Sequence, residues 1–184
     1  LDFLAQNNII VHFFNYYGFY TGSFYPKEQT VSGTLLIQQV QAYTDPKRRL
    51  YYAKKFVLGA AKNLLRNLKY YQRRGRNLDD SIKEITSLIR QIDQVHDVEE
   101  LMGIEGTIHR RYYASWQSVF IPDVDFSKRV RRPPDNMVNT LISFLNGLMY
   151  TTCLSEMYVT QLNPTISYLH SPMDRRFSLC LDIS

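Results

Sequence analysis

The chain has 184 residues and a formal net charge of +5, with 45% hydrophobic and 14% aromatic residues. That length allows one or two domains with a sizeable core, and the composition is ordinary for a globular protein. Cys153 and Cys180 lie in apolar runs without CxxC spacing, so we expect reduced core cysteines and, with no recognisable signal segment, a cytoplasmic protein.

The positive charge is concentrated in one stretch. Eleven basic residues and no acid lie between Pro46 and Leu78, which is half of the 22 Lys and Arg in the chain. Residues 79–105 carry eight acids instead, and a second basic group follows at residues 110–132. Charge runs usually form a solvated face, but an eleven-to-zero imbalance is typical of a surface that binds a polyanion. We therefore expect nucleic acid as a partner.

The residue pattern of the first 32 positions predicts the end of a helix followed by a β-hairpin. After a helix over residues 1–6, β-branched and aromatic residues fill positions 9–14 and 19–25, with a turn between them. Because a lone hairpin is only marginally stable in water, we expect it to belong to a larger sheet. A polar stretch then marks the predicted boundary between a domain over residues 1–32 and a helical domain over residues 33–184.

Only helices are predicted after that boundary. The first covers residues 34–43, and Asp45 is the predicted cap of the second, which carries the basic residues on its outer sides. Apolar spacing over residues 82–92 predicts the third. Asp97 and Glu100 form a capping-box pair for a fourth helix, which continues toward residue 120.

A long uncharged helix is predicted after Pro133 and Pro134, which lack the N–H groups that a helix interior needs. Asp135 is its predicted cap, and Asn163-Pro164 its end. Apolar residues recur along it every three or four positions and predict one buried face: Val138, Leu141, Ile142, Leu145, Met149 and Thr152. Polar side chains within the run argue against a membrane span and favour a buried core helix: Asn136, Asn139, Ser143 and Asn146.

Several residues have the chemistry to hold a metal ion. His96-Asp97 resembles the paired ligands of metal phosphohydrolases, but a helix cap is the simpler explanation of this aspartate. Glu105 and His109 lie four apart on one helix, which provides too few ligands. Alternatively, Glu105 pairs with a residue far along the chain, and His170 with Asp182 would complete a set that suits Mg²⁺ or Mn²⁺ and phosphodiester chemistry. Spacing alone does not decide for this set, because lone His and Asp residues usually have a structural role.

Glycines stand on either side of Glu105, at positions 103 and 106. Each is about 1 kcal/mol less favourable than Ala inside a helix. Their presence suggests that another molecule approaches the backbone closely beside the glutamate.

Several segments of the chain carry a recognisable pattern. They are Val-His-Phe-Phe-Asn-Tyr-Tyr-Gly at 11–18, Gly-Ser-Phe-Tyr-Pro at 22–26, Leu-Met-Gly-Ile-Glu-Gly at 101–106, Arg-Arg-Pro-Pro-Asp-Asn at 131–136, Asn-Thr-Leu-Ile-Ser-Phe at 139–144, Tyr-Leu-His at 168–170 and Ser-Leu-Cys-Leu-Asp-Ile at 178–183. In this order and spacing they resemble the CRISPR-associated integrase of spacer acquisition, the Cas "one" endonuclease. The resemblance covers nearly the whole chain.

The resemblance implies an α+β fold, with a mainly α-helical C-terminal domain after the helix and hairpin that end an N-terminal β-sandwich. It implies a metal-dependent DNA endonuclease and integrase, in which a 3′-hydroxyl attacks the target strand and inserts a spacer into a CRISPR array. Mg²⁺ or Mn²⁺ is the implied cofactor. The implied partners are double-stranded DNA (prespacer and repeat), the small Cas "two" protein and, in the intact protein, a second copy, with no membrane.

The family's metal ligands fall on Glu105 and His170, and the acid of its Ser-Leu-x-x-Asp pattern falls on Asp182. We therefore expect the Glu105 carboxylate and the His170 imidazole within about 6 Å of each other. Asp182 is placed on a last helix predicted to start at residues 173–175. The family's third ligand usually lies three residues after that acid, beyond Ser184, so we expect an incomplete catalytic domain with little activity.

Arginines of the basic helix and of the later basic group are expected to contact DNA phosphates without reading sequence: Arg66, Arg73, Arg74, Arg129, Arg131 and Arg132. The alternative function is a non-catalytic basic helical module that holds nucleic acid for a partner. Metal-dependent nicking or strand joining separates the two, because such a module binds nucleic acid without metal.

Overall fold

A computed structural model of the chain describes residues 1–27, 32–120, 124, 126–131, 133–172 and 177–184. Its architecture is mainly helical with one small antiparallel sheet, which confirms the predicted α+β fold class. The chain divides into two compact units, Leu1–Thr44 with Ile142–Ser184 and Asp45–Leu141. The predicted domain boundary after residue 32 stays a prediction. Over the described ranges, no helix has the length and apolar character required to cross a bilayer.

The predicted hairpin and helices are confirmed, with ends that shift by a few residues. In chain order the elements are α1 (Asp2–Gln6), β1 (Val11–Phe14), β2 (Tyr20–Phe24), α2 (Gly33–Thr44), α3 (Pro46–Gln72), α4 (Asp79–Gln91), α5 (Val98–Val119), α6 (Met137–Tyr158) and α7 (Ser178–Ile183). A 3₁₀ turn, Ile92–Gln94, follows α4. The start predicted for α7, at residues 173–175, lies outside the described residues.

The hairpin of the first unit is held by its turn and by one histidine. Asn15 Oδ1 accepts from two backbone N–H groups of the turn, both at 3.0 Å, and Gly18 has a φ of +75°, a left-handed conformation that suits glycine. On β1, His12 Nδ1 lies 2.5 Å from Ser23 Oγ of β2, and Nε2 lies 2.7 Å from Ser155 Oγ of α6. One imidazole therefore ties both strands to α6. Burial lowers the pKa of His12, which favours the neutral ring.

The second unit is built on three packed helices. α3, α4 and α5 contact one another, and the 3₁₀ turn packs against α3 and α4. Ala53 and Ala61 are buried on α3, so the backbone of this helix can approach its neighbours closely. The largest fully buried apolar side chains of this unit come from all three helices and the turn: Leu68, Ile85, Ile92, Leu101 and Ile108.

Side chains cap α3 and α5 where the sequence predicts them. Asp45 Oδ1 accepts from two backbone N–H groups in the first turn of α3, at 2.9 and 3.2 Å. Asp97 Oδ1 accepts from the N–H of Glu100 at 2.8 Å, and the Glu100 carboxylate accepts from the N–H of His96 at 3.0 Å. Asp97 is confirmed as the helix cap, and the pair is capping-box-like, because Glu100 bonds the N–H of the residue before the cap rather than that of Asp97.

The start and the buried face of α6 differ from the prediction. Asn136, rather than Asp135, provides the cap, because its Oδ1 accepts from the N–H of Asn139 at 2.9 Å. Four side chains predicted to face inward are exposed: Leu141, Leu145 and Met149, each about half, and Thr152. The buried positions are Asn139, Ile142, Thr151, Cys153, Leu154 and Met157. Since α6 is apolar on several sides, the spacing of its apolar residues cannot identify the buried face.

Candidate functional site

His170 lies in a loop between α6 and α7 that is held by the carboxylate of Asp182. Asp182 Oδ2 accepts from the backbone N–H groups of Tyr168 at 2.7 Å and of Leu169 at 3.0 Å. Its Oδ1 accepts from the backbone N–H of His170 at 3.0 Å and lies 2.9 Å from His170 Nδ1. The Asp182 side chain is fully buried, whereas 38% of the His170 side chain is exposed. The structure thus brings two of the predicted site residues together.

These contacts occupy the carboxylate of Asp182. A carboxylate offers about four lone-pair directions, and each oxygen here faces two donors. Asp182 therefore positions His170. A neutral imidazole carries one proton, and Nδ1 needs it to donate to Asp182, so Nε2 presents its lone pair away from Asp182. Histidines that bind metal ions generally have this arrangement, with the second ring nitrogen donating to a carboxylate.

Further polar side chains hold this loop, and sequence reasoning missed them. Gln39 on α2, only 3% exposed, bonds the backbone of Asn163 twice. Its Nε2 donates to the Asn163 carbonyl at 3.2 Å, and its Oε1 accepts from the Asn163 N–H at 2.8 Å. Ser167 Oγ donates to the carbonyl of His170 at 2.7 Å. No local pattern signals Gln39, because it lies 124 positions from its partner.

Glu105 lies in the second unit, on the middle of α5. Its Oε1 is 3.2 Å from Nε2 of His109, one helical turn further on, and 32% of its side chain is exposed. Gly103 and Gly106 are helical, and a Cβ built on either would meet nothing within 4 Å across the described chain. Packing within these residues therefore does not explain why glycine stands at the two positions.

The metal site predicted from Glu105 and His170 draws on both units, so the approach of the two side chains to within about 6 Å stays a prediction. No cluster of three or more His, Cys, Asp or Glu that could hold a metal ion occurs among the residues the structure describes. The donor types nevertheless fit Mg²⁺ or Mn²⁺. Glu105 offers a carboxylate, and His170 offers an oriented imidazole nitrogen.

The basic residues of α3 lie mainly on its exposed surface. Arg66 on α3 is exposed, opposite a face that buries alanine, valine and leucine, and Arg73 and Arg74, directly after the end of the helix, are exposed as well. Four more exposed cations recur at seven residues and so share one side of the helix: Arg48, Lys55, Lys62 and Lys69. The Arg74 guanidinium lies 3.8 Å from the centre of the Tyr70 ring. DNA contact by these residues stays a prediction.

The second basic group includes one arginine that is used inside the protein. Arg129 Nη1 donates to the carbonyl of Val130 at 2.5 Å, and to the carbonyl and Oδ1 of Asn139 at 3.1 and 3.2 Å. These bonds hold Arg129 within its own loop, and its predicted contact with DNA stays a prediction. Arg131 is exposed, and Arg132 lies outside the described residues.

Residues 1–184 match the family described as "CRISPR associated protein Cas1". The CRISPR-associated endonuclease Cas1 of Fusobacterium nucleatum subsp. nucleatum is 52% identical over 184 residues, which are 100% of this chain and 54% of that relative. The solved structure of a CAS1 protein from Thermotoga maritima has 41% sequence identity and a TM-score of 0.85, covering 98% of this chain and 57% of that one. A casposase bound to integration product shares the fold, with a TM-score of 0.80 at 24% identity over 98% of this chain and 51% of that one.

The chain spans about half the length of the curated relatives that it matches. The matched part contains every predicted site residue, because the match covers the whole chain. The endonuclease activity in the names of these longer relatives is therefore a statement about those proteins.

Replacing Asp182 by Asn is expected to lower the free energy of unfolding by about 2–5 kcal/mol, because buried N–H donors then face an amide group with one acceptor oxygen. Chemical denaturation measures the loss, and hydrogen exchange at residues 168–170 shows whether it is local. The matched control is Asp80→Asn, which removes only an exposed carboxylate 3.8 Å from Lys83 and should change stability by less than about 0.5 kcal/mol. Equal stability of Asp182→Asn and the unsubstituted chain would contradict the structural role of this carboxylate.

Proposed function

Since the chain belongs to the Cas1 family of CRISPR-associated proteins, we propose that it forms part of a cytoplasmic DNA endonuclease and integrase. In the proposed reaction a 3′-hydroxyl attacks a phosphodiester of the target strand and forms a new P–O bond. The bond from phosphorus to the target's own 3′-oxygen breaks, and that oxygen takes up a proton. The result is a spacer joined to a CRISPR array.

The arrangement of His170 and Asp182 is the observation that supports this proposal most directly. A buried carboxylate holds a partly exposed imidazole by its Nδ1, so that Nε2 is directed away from the carboxylate. This is the support that a nitrogen ligand needs. A histidine that only fills space in a protein core does not require a charged, fully buried partner.

Glu105 and His170 are the residues that would hold Mg²⁺ or Mn²⁺. When bound, such a cation stabilises negative charge on the phosphate oxygens and favours deprotonation of the attacking hydroxyl. Asp182 keeps the His170 ring in one orientation and one tautomer. His109 lies 3.2 Å from the Glu105 carboxylate and restricts its rotation.

Exposed cations would hold the DNA. The side of α3 that carries Arg48, Lys55, Lys62 and Lys69, together with Arg131 of the second basic group, would neutralise backbone phosphates of either strand. Such contacts do not distinguish sequences. The proposed partners are double-stranded DNA, the small Cas "two" protein and a second copy of the protein.

Replacing Glu105 by Gln or His170 by Ala is expected to lower the rate of metal-dependent DNA strand cleavage by at least about 100-fold, because each change removes a proposed ligand. Binding of duplex DNA should persist, because the exposed cations are unchanged. The measurement is a cleavage and strand-joining assay with Mn²⁺, on a protein that contains these 184 residues and any flanking sequence its gene encodes.

The matched controls for this experiment are Glu99→Gln, an exposed acid on the same helix, and His96→Ala, an exposed histidine outside the site. Both should retain cleavage. Full activity of Glu105→Gln and His170→Ala would overturn the assignment of these residues. DNA binding with no metal-dependent cleavage by the unsubstituted protein would favour the non-catalytic module instead.

Replacing Gly106 by Ala is expected to raise the free energy of unfolding by about 1 kcal/mol, because the position is helical with open space around it. Cleavage should nevertheless fall if DNA approaches the α5 backbone beside Glu105. Gly147→Ala on α6 is the matched control, since its Cβ would meet only an ordinary contact at 3.8 Å. A stabilised Gly106→Ala protein with undiminished cleavage would show that no ligand requires this glycine.

A further inference from the structure

The side chain of Asn139 closes the base of the loop that carries Arg131. Before Arg131 in the chain, the Asn139 Nδ2 donates to the carbonyl of Lys128 at 3.0 Å, and its Oδ1 accepts from the N–H of Val130 at 3.1 Å. After Arg131 in the chain, the same Nδ2 donates to Oδ1 of Asp135 at 2.7 Å. One amide therefore joins both ends of the segment that contains Arg131.

Asn139 is well suited to this task because its hydrogen-bonding capacity is filled. Its side chain has no exposed surface, and both amide protons have acceptors. The Oδ1 atom faces Val130 N and Arg129 Nη1, so its acceptor capacity is used as well. An apolar side chain here would remove these hydrogen bonds and leave the part-buried N–H of Val130 without its acceptor, at about 1–3 kcal/mol.

The loop base also concentrates positive charge. Arg129 is held by Asn139 and is half-buried, and its burial lowers its pKa. The charge of Arg131, two residues further along the chain, also lowers the pKa of Arg129, whereas Tyr113 and Asp135 raise it. An anion bound at the base of the loop would offset the repulsion between these two cations.

We propose that Asn139 is a positioning residue that presents Arg131 to a backbone phosphate of bound nucleic acid. The inference rests on the proposed function, because it requires DNA to be the ligand. Asn139 itself is buried and does not contact the phosphate. Its effect is to hold the loop in the conformation that binds, so that Arg131 is ordered before DNA arrives.

A double-mutant cycle between Asn139→Asp and Arg131→Ala tests the proposal. In Asn139→Asp a carboxylate replaces the amide and faces Asp135, which should open the base of the loop. Each single variant is expected to weaken duplex binding about 5- to 10-fold at 0.1 M salt and to reduce the log–log salt slope by about 0.9, the effect of one lost phosphate contact. The double variant should bind as weakly as Arg131→Ala alone, because both changes remove the same contact.

A compensating second substitution distinguishes a lost loop conformation from a general loss of stability. Adding Asp135→Asn to Asn139→Asp restores a donor between the two side chains and should recover part of the lost affinity and salt slope. Ile85→Ala in the core of α4 is the control for lost stability, and its folded fraction should bind DNA as the unsubstituted protein does. Affinity is measured for protein shown to be folded by circular dichroism at the assay temperature.

Independent effects of Asn139→Asp and Arg131→Ala, which multiply in the double variant, would overturn the inference while leaving the proposed function in place. So would normal affinity of folded Asn139→Asp. Absence of salt-dependent duplex binding by the unsubstituted protein would overturn the proposed function, and the inference with it.

Discussion

The buried carboxylate of Asp182 is the interaction on which the candidate site depends. A charged group without exposed surface is stable only when donors surround it. Donors from residues 168–170 do so here, all within 3.0 Å. Three are consecutive backbone N–H groups, so the carboxylate fixes the path of the main chain, and the fourth is His170 Nδ1. The tautomer of His170 and the path of its main chain therefore depend on this carboxylate.

Buried polar side chains hold further loop segments of the protein by the same physical means. Backbone N–H and C=O groups that lose contact with water need partners, and a loop has no regular ladder to provide them. Gln39 provides hydrogen-bond partners for the backbone of Asn163, and Asn139 provides them for the backbone of residues 128–130. Both are amides, which offer a donor and an acceptor on one planar group. His170 and Arg131, two of the residues proposed to act on DNA, thus lie on loops whose main chain is held by buried side chains.

Features whose partners are close in the chain could be predicted from the sequence. Asp45 and Asp97 stand next to the N–H groups that they cap, and the turn at Asn15 follows from its own side chain. The buried face of α6 could not be predicted, because it depends on which neighbours cover an apolar helix. The hydrogen bonds from Gln39 to the loop could not be predicted either, because its partner is remote in sequence.

The predicted site rests in part on a family resemblance, and the structure adds the physical role of one of its members. The resemblance makes Asp182 a catalytic-site residue, and its contacts make it the support of His170. That role depends on a loop folding back over α7, which no spacing in the sequence encodes. Glu105 lies on the predicted helix, α5.

Nuclear magnetic resonance of the His170 ring tests the dependence on Asp182 most directly. Long-range correlations between ring protons and nitrogens distinguish the two tautomers at about pH 8, where an imidazole is neutral. We predict a protonated Nδ1 and an unprotonated Nε2 in the unsubstituted protein. A ring protonated at Nε2, or an equal mixture of tautomers, would contradict the proposal that Asp182 prepares His170 to act through Nε2.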